Sequence, residues 1–70
     1  MEVLVFKTDL TNILRINNAG VYLNSHPHIK RWNVDLHDCD NILRIETEQL
    51  QGNEIESLLS KAGYYCEELQ

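Results

Sequence analysis

The side chains able to do nucleophilic or metal chemistry are three histidines and two cysteines. His37 and Cys39 stand two apart in the run Leu36-His37-Asp38-Cys39-Asp40, and an imidazole beside a thiolate is a donor pair that Cu(I) or Zn(II) accepts. Two donors fall short of the three or four protein ligands of a zinc site, so this pair is a weak ligand set and otherwise an exposed turn. His26-Pro27-His28 brackets a proline and reads as a polar turn. Cys39 and Cys66 are too few and too far apart for a disulfide framework or a C-x-x-C redox motif, so reduced thiols are expected. No Cys–His or Ser–His pair has a third group to orient it, and there is no glycine-rich phosphate loop. The acidic pairs Glu54/Glu56 and Glu67/Glu68 come with no implied cleft and read as solvated faces. The expectation is a chain that is not an enzyme, with no catalytic residues and no cofactor.

Six short elements must position these groups. Glu2 to Thr8 alternates as a strand does, with Leu4, Phe6 and Thr8 on one face and Val3, Val5 and Lys7 on the other. Thr11 or Asn12 offers an N-cap oxygen, and Ile16, Ala19, Gly20 and Leu23 form one helical stripe after it. That helix is intrinsically weak, since Asn17, Asn18 and Gly20 lie inside it, and Pro27 ends it near Asn24. Ile29 to His37 alternates again, with Trp32, Val34 and Leu36 inward. Asp38 to Asn41 is a turn by composition, and Ile42 to Thr47 returns as the second arm of a hairpin with Leu43 and Ile45 inward. Asn53 with Glu56 resembles a capping box before a second stripe of Ile55, Leu58, Leu59 and Ala62, which Gly63 stops. Tyr64 to Leu69 is a last strand, with Tyr64 and Cys66 inward. Two right-handed strand–helix–strand units joined by a hairpin give an α+β, ferredoxin-like βαββαβ sandwich. Its antiparallel sheet has order 4-1-3-2 with both helices on one face, and residues 1–70 form one domain.

Composition narrows the function further. The chain is 43% apolar and 24% charged, with a net charge of −5. An acidic balance argues against a phosphate backbone as partner, and the outward positions of the central strands carry no aromatics to stack bases, so no nucleic acid is expected. No apolar run approaches the roughly 18 residues of a membrane span, and no signal-peptide pattern opens the chain, so a cytoplasmic protein without membrane insertion is expected. Residues 1–34 hold four basic and two acidic side chains, and residues 35–70 hold two basic and nine acidic. The acidic half is a solvated surface or a dock for a basic partner.

Five segments together resemble the heavy-metal-associated domain, the small module of copper chaperones and of the N-terminal arms of metal-transporting P-type ATPases. They are Phe6-Lys7-Thr8-Asp9-Leu10, Tyr22-Leu23-Asn24, Trp32-Asn33-Val34-Asp35-Leu36, Leu43-Arg44-Ile45-Glu46, and Ile55 to Tyr64 with its ending Lys61-Ala62-Gly63-Tyr64. The resemblance implies a metal loop between the first strand and first helix, where that family carries C-x-x-C for Cu(I) or Zn(II). Those two positions fall on Asn12 and Arg15 here, and the methionine that often precedes the first cysteine is Leu10. A neutral amide is a poor donor to a soft ion, and a guanidinium has no lone pair to give. The implied metal site is therefore expected to be degenerate, with His37 and Cys39 as weak alternative ligands.

With helices on one side only, Val3, Val5, Ile42, Tyr65 and Leu69 are expected to project from the open face of the sheet as an apolar patch for a protein partner or a homodimer. The leading expectation is thus a non-catalytic interaction module with a degenerate metal loop. One alternative is weak or partner-assisted copper or zinc binding. Another is an ACT-like small-molecule sensor, since regulatory amino-acid-binding domains share this topology.

Overall fold

A computed structural model describes residues 2–69 of the 70. Strand β1 (Glu2–Thr8) is followed by helix α1 (Ile13–Ser25), strands β2 (Ile29–Asp35) and β3 (Ile42–Thr47), helix α2 (Gly52–Lys61) and strand β4 (Cys66–Glu68). The sheet is antiparallel throughout with order β2-β3-β1-β4, the expected 4-1-3-2 order counted from the other edge. Inward residues of the strands, Phe6, Leu43 and Ile45, share one apolar cluster with Ala19 and Leu23 of α1 and Ile55 and Leu59 of α2. A common cluster of this kind requires both helices on the same face of the sheet.

Local chemistry explains where the element ends depart from expectation. Strand β2 stops at Asp35 rather than His37, because the Asp35 carboxylate accepts the His37 N–H at 2.9 Å and turns the chain. Leu36, expected inward, therefore lies in the turn and is 38% exposed. Asn41 closes this turn with φ of 47°, a left-handed conformation that asparagine tolerates.

Helix α2 begins at Gly52 with Gln51 as its N-cap residue, not with Asn53. Glu54 sits three residues after Gln51 and accepts the Gln51 N–H at 2.7 Å, which is the helix-closing half of a capping box. Glu56, the expected partner of Asn53, instead accepts the Glu68 N–H of β4 at 2.7 Å. At the other end Gly63 takes φ of 93° and the Gly63 and Tyr64 N–H groups return to Ser60 and Leu59 carbonyls, as a glycine stop requires. Strand β4 pairs only over Cys66–Glu68, shorter than the expected Tyr64–Leu69, because Tyr65 N–H leaves the ladder for the Asp9 side chain at 3.0 Å.

Candidate functional site

The loop between β1 and α1 is anchored before any functional side chain is reached. Thr8 Oγ1 donates to the Asn41 carbonyl at 2.6 Å and accepts the Leu10 N–H at 3.1 Å, while Thr8 N–H reaches the Asp40 carbonyl at 3.1 Å. These bonds tie the end of β1 to the β2–β3 turn, and Leu10, fully buried, pins the loop to the core. Asn12 then caps α1, its Oδ1 accepting the Arg15 N–H at 2.9 Å. Arg15 turns its guanidinium back, 3.6 Å from Asp9 Oδ2 and with its central carbon 5.9 Å from the centroid of the Tyr64 ring. That distance lies within the range of a cation–π contact. The other oxygen of Asp9 accepts Tyr65 N–H, so one carboxylate holds the loop, α1 and the start of β4 together.

The β2–β3 turn lies beside this loop through the Thr8 bonds. Asp38, Cys39 and Asp40 each place a donor atom within 4.8 Å of the others. His37 is exposed and is not among these donors. The cluster is already partly committed: Asp38 Oδ1 accepts the Asp40 N–H at 2.8 Å, and Lys7 Nζ lies 3.7 Å from Asp40 Oδ1.

Solved structures that superpose on this chain include metal-handling domains. A yeast copper transporter domain, solved in the apo and Cu(I)-loaded states, superposes with a TM-score of 0.84 at 14% identity, covering 100% of this chain and 97% of its own. The Cu(I)-loaded first domain of the human copper chaperone CCS gives 0.79 at 20% identity, covering 94% of this chain and 89% of its own. The N-terminal domain of ZntA in its Zn(II) form gives 0.78 at 16% identity, covering 97% and 92%. The fold is that of the heavy-metal-associated domain. No family model matches the chain, and no curated protein matches it by sequence.

The side chains at the start of α1 do not fit a metal ion. Asn12 Oδ1 is occupied by the Arg15 N–H, and the Arg15 guanidinium is a permanent cation with no lone pair to give. The loop holds an internally satisfied cap and ion pair.

The open sheet face groups only part of the expected patch. The register sets Val3 beside Glu46 and Val5 beside Arg44, and Leu69 donates its N–H to the Val5 carbonyl at 2.8 Å. Val3, Val5 and Leu69 are thus neighbours. Tyr65 is cut off from Leu69 by Glu67, to which its hydroxyl donates at 3.0 Å, and Ile42 is only 6% exposed and offers almost no surface. The same hydrogen bond holds the Tyr65 pKa above its ordinary value.

Cys66 faces a shallow groove of about 440 Å³ lined by Asn53, Glu56, Ser57, Ser60 and Lys61 between α2 and β4. Burial first, then the Glu56 and Asp9 carboxylates, push its thiol up to about 12, so it is a poor nucleophile near neutral pH.

Three site residues were not legible from the sequence. Asp9 and Tyr64 complete the Arg15 arrangement, and only the fold brings position 64 to position 15. Leu14 is exposed two residues after the cap and outside the core stripe, and that misfit of pattern was the available signal.

Proposed function

We propose that this chain is a non-catalytic interaction module on the heavy-metal-associated fold, in which the metal loop has become a structural latch. It works through protein contact and keeps no resident metal or cofactor. The observation that carries this reading is the double commitment of the loop: Asn12 caps the helix and Arg15 is held by Asp9 and Tyr64, so neither ligand position of the fold is free to receive an ion. Val3, Val5 and Leu69 form the contact strip of the open face, flanked by Tyr65, and the acidic second half favours a partner with basic residues around an apolar centre. The two free thiols, Cys39 and Cys66, fit a reducing compartment such as the cytoplasm.

Native mass spectrometry of the reduced protein with and without Cu(I) and Zn(II) tests the reading. The expected spectrum shows no retained ion. One ion per chain or per dimer, lost when Cys39 is changed to Ser, would overturn it in favour of residual metal handling at the β2–β3 turn. Thermal shift against amino acids and nucleotides is expected to be flat, and a saturable rise would point instead to a small-molecule sensor.

A further inference from the structure

Helix α1 carries four large apolar side chains in solvent: Ile13 at 61% exposure, Leu14 at 70%, Val21 at 65% and Tyr22 at 45%. Their placement is symmetric. Over residues 13–22 the exposed positions are Ile13, Leu14, Asn17, Asn18, Val21 and Tyr22, and the inward positions between them are the half-buried Arg15 and Ile16 and the buried Ala19 and Gly20. Reading the helix backwards from Tyr22 gives the same order of apolar pair, inward pair, asparagine pair, inward pair, apolar pair. At 100° per residue the six exposed positions cover half of the helix circumference, with the midpoint of Asn17 and Asn18 at its centre.

The charge pattern of this face is equally unusual for the molecule. Arg15 is the one charged residue of α1, and it is turned to Asp9 and Tyr64. The outer face of α1 is therefore uncharged in a chain whose net charge is −5. Two like-charged molecules meet with least repulsion on a face that carries no charge.

We propose that α1 is a homodimer interface, in which a second copy of this chain packs antiparallel across a two-fold axis at the midpoint of Asn17 and Asn18. A two-fold interface uses one patch twice and must be self-complementary, which the mirrored order of side chains provides. The axis sets Leu14 at the level of Val21 in the second copy and Ile13 at the level of Tyr22 in the second copy. The asparagines of both copies gather at the axis, where sliding one helix by a turn would set amides against Leu14 and leave them unpaired. They fix the register as buried polar residues do in helix pairs. The contact lies on the helical layer, so it leaves Val3, Val5 and Leu69 free on the sheet side. It is independent of whether the loop takes metal.

Sedimentation velocity over a concentration series tests the proposal, with Leu14→Glu, Val21→Glu and, as a control on the opposite face, Val5→Glu, each checked for fold by circular dichroism. The expected result is a concentration-dependent dimer whose dissociation constant rises at least about tenfold in Leu14→Glu and in Val21→Glu and is unchanged in Val5→Glu. Asn17→Cys in a Cys39→Ser background is expected to form an intermolecular disulfide under mild oxidation, because the two copies of position 17 flank the axis. A chain that stays monomeric up to about 1 mM overturns the proposal. So does a dimer indifferent to Leu14→Glu, a dimer lost in Val5→Glu instead, or a dimer in which the Asn17→Cys pair does not cross-link.

Discussion

Asn12 and Arg15 show how two side chains can commit a loop to the helix that follows it. Asn12 closes the first turn of α1 through one hydrogen bond to the Arg15 N–H, so Asn12→Ala is expected to cost about 1 kcal/mol, or roughly 4–8 °C in Tm for a domain of this size, read by thermal denaturation. Arg15→Ala is expected to cost less, because the Arg15–Asp9 pair is about two-fifths exposed and water screens it; a loss of about 0.2–1 kcal/mol is the range for such pairs. Changing both positions to Cys places two thiolates at the N-terminus of an intact helix, where the dipole favours the anion. The double variant is expected to retain one Cu(I) per chain in native mass spectrometry where the parent retains none. The residue types at positions 12 and 15 were legible from the sequence, but Asp9 as the hub was not, since its partner Tyr65 lies 56 residues away and is brought near only by the sheet.

At the scale of elements, helix α1 is held by packing more than by propensity, and Gly20 is where this is sharpest. A Cβ built on Gly20 would lie 2.8 Å from Cζ2 of Trp32, whose indole N–H donates to Asn24 Oδ1 at 2.8 Å. Gly20→Ala should gain about 1 kcal/mol of helix propensity but must push the indole out of its hydrogen bond and its packing, at about 1–3 kcal/mol. The net expectation is a loss of about 1 kcal/mol with a shifted Trp32 emission spectrum, and a gain in Tm with an unshifted spectrum would refute it. Strand β4, paired with β1 at the sheet edge, is also tied to α2 by a polar contact. Glu68 donates its N–H to Glu56, and its carboxylate lies where any side chain at Gly52 would collide. Cys66 on the same strand gives this region a pH signature. Its folded pKa of about 12 stands above its ordinary value of 9.0, so the unfolded chain loses the proton first. Stability from this group is complete below about pH 9 and falls as pH rises from there towards about 12, and Cys66→Ala is expected to flatten that part of the denaturation profile. The order of elements was readable because period-2 and period-3.6 patterns alternate cleanly. Their ends were not, since three of them are set by side chains reaching the backbone: Asp35 to His37, Glu54 to Gln51 and Asp9 to Tyr65.

For the whole molecule, the two-layer architecture separates the uncharged outer face of α1 from a sheet face where Lys7, Arg31, Arg44, Glu46 and Glu67 interrupt the apolar positions. This division was hidden in the sequence because the exposed apolar residues of α1 interleave with its core stripe, and a stripe found first masks the one beside it. It carries a prediction that concerns net charge. Two copies at −5, each measuring 28 × 24 × 17 Å, have centres about 25 Å apart in a helix-to-helix dimer, where their unscreened repulsion in water is about 4 kcal/mol. At 0.15 M salt the Debye length of about 8 Å removes most of this, whereas at 0.01 M it is about 30 Å and much of the repulsion survives. Dimerisation through the uncharged α1 face is therefore expected to tighten about tenfold between those two ionic strengths, and to tighten again as pH falls towards the sequence pI of about 4.9. A contact made by opposite charges, such as acidic residues of one copy against Arg31 and Arg44 of another, would respond in the reverse direction, since salt screens attraction as readily as repulsion. Sedimentation equilibrium at the two salt concentrations separates these cases: an association constant that falls with salt would exclude the α1 face as the main contact and assign self-association to the charged sheet.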